Sequence, residues 1–197
     1  MEPSEPQIRA DEARYLVPTY KRPDPVFVRG EGVHLYDAQG KRYLDFMSGI
    51  AVMALGHNDP EWRAAVTEQA GTLVHVSNLY HTVPHVRLAR GLVERSFADR
   101  VFFCNSGAEA NEAALKFARK WARTHHGPDK HRVVAFTGGF HGRTVGALSC
   151  TANAAYREPF APLMDGVRFA PWSDIDALAK LVTDETCAVI LEPLQGE

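Results

Sequence analysis

The sequence predicts an α/β protein: a mostly parallel sheet flanked by helices, preceded by an N-terminal antiparallel segment. Three observations predict it. From Arg100 onward short apolar runs (RVFFC, RVVAF, GVRFA, CAVILEP) alternate with helical stretches, the pattern of parallel strands covered on both faces. Before them, residues 25–46 alternate β-formers with turn residues, as a hairpin meander does. The 197 residues are 45% hydrophobic and 23% charged, enough for one sizeable core, or one domain and part of another.

Taken in order, residues 1–19 are polar and Pro-containing and read as a loosely held arm or a short helix. PVFVRGEGVHLYDAQGKRYLDF, with turns at Gly30–Gly32 and Asp37–Gly40, reads as three antiparallel strands. Pro60 suits a first helical turn, so a helix is expected from there to Gly71. A second is expected over 83–97, where Val86, Leu88, Ala89, Leu92 and Val93 form a stripe. RVFFC then reads as a strand, followed by a helix to about His125. RVVAF and GVRFA are the next two strands. SDIDALAKLVTD is a helix with Ser173 as N-cap and Asp176 in its first turn, and CAVILEP closes as a buried strand that ends at Glu192.

The formal net charge of -2 gives no reason to expect nucleic acid or an acidic membrane as partner. No apolar run approaches the ~20 residues of a bilayer span. MEPSEPQIRADEAR lacks the basic and apolar regions of a signal peptide. Cys104, Cys150 and Cys187 are odd in number and far apart. They read as buried thiols in a reducing compartment, which with the missing signal suggests a cytoplasmic protein. The nine histidines include no HExxH, and no CxxC occurs, so no metal site is expected.

The most informative segment is RVFFCNSGAEANEAALKFARKWA, a strand, a tight turn and a helix. Ser106 to Glu109 is S-x-x-E, a capping box that starts the helix at Gly107. It leaves the N–H groups of Gly107 and Ala108 free at the positive end of the helix dipole, where an anion is favoured. Gly107 also lets a phosphate approach the backbone closely. The segment alone fits equally a well-capped helix with nothing bound. Neither the GxxxxGK[ST] loop nor GxGxxG occurs, which argues against ATP and NAD.

NSGAEANEAA resembles the cofactor-phosphate segment of class III (ω-amino-acid) aminotransferases, a subgroup of the fold-type-I pyridoxal-phosphate enzymes. SGIAVMALGHNDP, GGFHGRTVGALS and LEPLQGE resemble three further segments of that family, in the same order. VPTYKRPDPVFVRGEG and SNLYHT add a likeness to its acetylornithine-type members. The resemblance runs from Tyr15 to the last residue. It implies an arm and meander over 1–60, part of a small domain, and an incomplete large cofactor-binding domain over 61–197. It also implies a homodimer that moves the terminal amino group of N-acetylornithine, or a related ω-amino acid, to 2-oxoglutarate in arginine or amino-acid biosynthesis. Members acting on ornithine, 4-aminobutyrate or acetyl-lysine are alternatives, as is an aminomutase. An inert binding module that keeps the phosphate cradle is an alternative from another class.

By the same resemblance, Ser106, Gly107 and Ala108 hold the phosphate of pyridoxal 5'-phosphate, though Ala108 stands where a threonine is frequent. Phe140 stacks on the pyridine ring with His141 beside it, and Glu192 lies near the ring. Arg143 takes the substrate α-carboxylate, for which a guanidinium is a planar bidentate match. Glu197 pairs with an arginine from outside this chain and helps admit two substrates. Tyr20 lines the substrate entrance, while Asn78 and Tyr80 reach the neighbouring subunit. GHNDP replaces the commoner GHxHP, and His81 stands where a tyrosine is usual.

Transamination also needs a lysine that joins the cofactor covalently and shuttles protons, and an acid that keeps the pyridine nitrogen protonated. Of the six lysines, Lys116, Lys120 and Lys180 fall on expected helices, and Lys21, Lys41 and Lys130 in turns or connections. None has the family's strand-end context. Both catalytic groups are therefore expected beyond Glu197, and residues 1–197 alone are expected to be inactive.

Overall fold

The computed structural model describes residues 4–196 and divides at His81 into two units, Met1–His81 and Thr82–Glu197. In the first, Ser4 accepts the Gln7 N–H and opens α1 (Glu5–Tyr15), so the polar arm is a helix. No α1 side chain is buried. It is tied down instead by Arg9, which donates to the Asp24 carbonyl at 2.8 Å, and by an Arg22–Glu12 ion pair.

β1 (Phe27–Glu31), β2 (His34–Asp37) and β3 (Arg42–Leu44) form the expected antiparallel meander in that order. Asp37 builds the β2–β3 turn. One carboxylate oxygen accepts the Gln39 and Lys41 N–H groups at 3.0 and 2.9 Å, and the other accepts the Tyr43 hydroxyl at 2.9 Å. A four-residue turn, α2 (Ser48–Ala51), passes through left-handed backbone at Ser48, Gly49 and Ile50. α3 (Pro60–Thr72) starts at the proline as expected, with Asp59 accepting the Trp62 N–H at 2.8 Å.

The second unit opens with α4 (Val83–Val93), shorter than the periodicity suggests. Past Val93, the N–H groups of Arg95 and Ser96 reach carbonyls three residues back, and these tighter turns end the helix. α5 (Gly107–His126), β4 (Arg132–Phe136), α6 (Val145–Cys150), α7 (Ala154–Arg157), β5 (Val167–Ala170), α8 (Ile175–Leu181) and β6 (Thr186–Val189) follow. The sheet is parallel, in the order β5-β4-β6. β4 alternates between two apolar clusters, as the two-residue period of a strand requires. Val133 and Ala135 pack with Leu115 of α5 and Cys150 of α6 on one face. Val134 and Phe136 pack with Ala170 and with Leu178 and Leu181 of α8 on the other. Both faces are covered, as the apolar runs implied.

Four local expectations are corrected. RVFFC carries no strand. Both edges of β4 are taken, and no described strand pairs with residues 100–104, so their polar backbone groups have no ladder to join. Cys104 in that segment is accordingly exposed, whereas Cys150 is buried and Cys187 partly so. Asp174, not Ser173, caps α8: its carboxylate accepts the Ala177 N–H at 2.8 Å, and Ser173 sits before it at φ 62°. β6 ends at Val189, with one more ladder bond from Ile190 N–H to the Val134 carbonyl, so Glu192 lies past the strand rather than on it.

Candidate functional site

In a parallel sheet the strands' carboxyl ends share one edge, and ligands of open α/β sheets bind there. The loops leaving β4 and β6 carry Phe140, His141, Arg143 and Glu192. The start of α5 joins them. Ser106 is its N-cap, its Oγ accepting the Glu109 N–H at 3.1 Å. Glu109 answers by accepting the N–H of Asn105 at 2.6 Å, one residue before the cap. The N–H groups of Gly107 and Ala108 therefore stay without helical acceptors. A Cβ on Gly107 would meet nothing within 4 Å, so the helix start faces open space.

The β4 loop is packed directly onto this helix start. At Gly142 (φ 127°) a Cβ would come within 2.8 Å of the Ala108 Cβ, so the chain can approach Ala108 only as glycine. Asn111 donates its side-chain N–H to the His141 carbonyl at 2.6 Å. The Glu112 carboxylate accepts from the Thr144 hydroxyl at 2.6 Å and from the N–H groups of Gly146 and Ala147 at 2.8 and 3.1 Å. Burial pushes this carboxyl up, but the Thr144, Ala147 and Gly146 bonds with the nearby Lys116 charge outweigh it and hold it below the ordinary glutamate value.

Glu192 is brought to the same loop from β6, accepting the Phe140 N–H at 2.7 Å. Gln195 donates to the Thr137 carbonyl at 2.9 Å and occupies the space a side chain at Gly138 would need. His141 is 4% exposed, and its backbone N–H is held by the Thr151 hydroxyl at 3.0 Å. Its ring Nε2 is buried without a partner among the described residues. Burial lowers the imidazole's pKa and the Glu192 charge opposes this, leaving it below the usual histidine value. Arg143 is exposed and forms no ion pair among the described residues. Its guanidinium lies over the Tyr156 ring at 4.3 Å and the Phe140 ring at 5.4 Å. With no ion pair among the described residues, its N–H groups are left for a carboxylate.

Seven predicted residues thus meet: Ser106, Gly107, Ala108, Phe140, His141, Arg143 and Glu192. Tyr20 belongs to the first unit, exposed on a cleft with Arg9, Glu12 and Arg22. Asn78 and Tyr80 are also exposed in that unit. Glu197 lies outside the described residues. The sequence reading missed Asn111, Glu112, Thr151, Tyr156 and Gln195. Asn111, Glu112 and Gln195 lie inside the motifs, but the hydrogen-bond partners that place them are 30, 32 and 58 positions away, so no local pattern signalled them. An open helix start, an aromatic ring, an orphaned buried imidazole nitrogen and an unpaired guanidinium together fit a phosphate-bearing aromatic cofactor and a carboxylate substrate.

Comparison with known proteins agrees. The aminotransferase class-III family profile matches residues 18–197. An ornithine aminotransferase of Toxoplasma gondii, with pyridoxal phosphate at partial occupancy in its active site, superposes with a TM-score of 0.91 at 31% identity, over 98% of this chain and 46% of that one. An N-acetylornithine aminotransferase of Stenotrophomonas maltophilia gives 0.75 at 39% identity over 94% and 44%. An (S)-enantioselective omega-transaminase of Thermomicrobium roseum gives 0.88 at 29% over 100% and 51%. The chain spans about half the length of these proteins.

Proposed function

The chain belongs to the class III aminotransferases, pyridoxal-phosphate-dependent enzymes of fold type I, and from that premise we propose that it supplies the phosphate cradle and the carboxylate-binding arginine of an acetylornithine-type enzyme. The observation that carries the reading is the Arg143 guanidinium, in no ion pair among the described residues, near the Tyr156 and Phe140 rings on a loop packed against the start of α5. The first N–H groups of α5 and the Ser106 hydroxyl receive the phosphate, where the helix dipole favours its charge. Phe140 offers its ring face to the pyridine ring. Bound there, the cofactor supplies an electron sink that lets an amino group leave one carbon and join another. Arg143 fixes the substrate by its carboxylate, so the reacting end is presented in one orientation. The neutral, buried His141 nitrogen is free to donate or accept one hydrogen bond beside the ring.

Among the described residues no lysine lies on a loop at the carboxyl ends of β4, β5 or β6. We assign the covalent lysine and the pyridine-binding acid to residues outside 1–197. Reading the coding sequence past Glu197 tests this: an aspartate-bearing strand and a strand-end lysine are expected, and a stop codon would favour the inert binding module. In the full-length protein, kinetics with N-acetylornithine, ornithine, 4-aminobutyrate and acetyl-lysine separate the substrate readings. N-acetylornithine is expected to have the highest kcat/KM, with 2-oxoglutarate as acceptor, in a homodimer. Turnover by residues 1–197 alone would contradict the assignment.

A further inference from the structure

The loop that presents Arg143 is held from the phosphate side. Its flanking residues are both fixed to α5: Gly142 packs against Ala108, and Thr144 donates to Glu112 at 2.6 Å. Asn111 fixes the carbonyl of His141 just before them. Glu112 also caps α6, because Thr144 forms no side-chain cap of its own and the Gly146 and Ala147 N–H groups turn to the Glu112 carboxylate instead. Gly146 is required for this: a Cβ there would stand 2.4 Å from Glu112 Oε2. One carboxylate oxygen therefore gathers three donors, all on residues one to four positions after Arg143. Charge-assisted bonds of this kind are the stronger ones. The guanidinium itself lies over the Tyr156 ring, 4.3 Å from its centroid.

We infer that Glu112 is the positioning residue for Arg143, tying the substrate-carboxylate site to the helix that carries the cofactor phosphate. The inference rests on the carboxylate role of Arg143. Glu112 itself touches neither ligand. Its contribution is to fix the Thr144 side chain and the backbone of α6's first turn, so that the guanidinium is aimed before the substrate arrives.

The test uses the full-length protein with pyridoxal phosphate bound and 2-oxoglutarate as probe, its binding followed through the cofactor absorbance. Glu112→Ala is expected to raise the 2-oxoglutarate Kd about tenfold while the cofactor's own affinity, measured by fluorescence titration, changes less than about twofold. Glu112→Gln, which keeps an acceptor oxygen, is expected to recover part of the loss. In the Arg143→Ala background Glu112→Ala is expected to add nothing, since the two act as a unit. An unchanged Kd in Glu112→Ala, full additivity with Arg143→Ala, or an equal loss of cofactor affinity would each overturn the inference. Should Glu112→Ala fail to fold, Thr144→Val removes the hydroxyl bond alone. A smaller rise in the same Kd is expected, and none overturns the inference. If Arg143→Ala alone leaves the Kd unchanged, the carboxylate reading fails instead, and this proposal with it.

Discussion

At the residue scale, burial separates three thiols that look alike in the sequence. Cys150 is 0% exposed and its pKa is pushed by burial to about 11, whereas Cys104 is exposed. Thiolate, not thiol, is the reactive form. Alkylation at neutral pH followed by peptide mapping is expected to modify Cys104 first and Cys150 only after unfolding; early Cys150 labelling would contradict the packing. His141 gives a pH prediction. Burial depresses its folded pKa below the ordinary 6.5 despite the opposing Glu192 charge. The unfolded state then binds more protons, so the stability from keeping His141 neutral is complete above about pH 6.5 and is lost as pH falls towards the folded value. Denaturant midpoints between pH 8 and 5 are expected to fall on acidification, and less so in His141→Asn. Phe140, His141 and Arg143 were legible because they lie together in one motif. Glu112 was not, because its partners are 32 to 35 positions away and nothing local announces them.

At the element scale, caps tell how far sequence patterns reach. S-x-x-E located the start of α5 to the residue, since both of its bonds are local. The same rule misplaced the α8 cap by one residue, because the left-handed turn at Ser173 hands the role to Asp174. Asp174→Ala is expected to cost about 1 kcal/mol in urea unfolding, and Ser173→Gly to cost nothing or to stabilise. Equal losses at both positions would contradict the assignment. RVFFC shows the other limit: apolar periodicity recognises a segment suited to a strand, but a ladder needs a partner's edge.

At the scale of the whole molecule, the buried apolar residues among those described all belong to Thr82–Glu197. Large side chains nevertheless stand open in both units: Phe46 is 90% exposed in the first, Phe97 102% and Leu194 90% in the second. Exposed apolar surface on this scale marks interaction sites, and β5 and β6 each present an unpaired outer edge among the described residues. Residues 1–197 produced alone are expected to associate at micromolar concentration in light scattering; a stable, soluble monomer would contradict that.

The central claim is that the start of α5 receives the phosphate of pyridoxal 5'-phosphate, and Gly107→Asp tests it most directly. The position has open space for a side chain and a first-turn acid suits the helix dipole, so the fold should survive with its melting temperature unchanged or raised. The new carboxylate, however, stands where the phosphate charge would lie. Cofactor titration of the full-length variant is expected to show affinity weaker by at least about tenfold, or ~1.4 kcal/mol. Wild-type affinity in a folded Gly107→Asp protein would place the phosphate elsewhere and contradict the account.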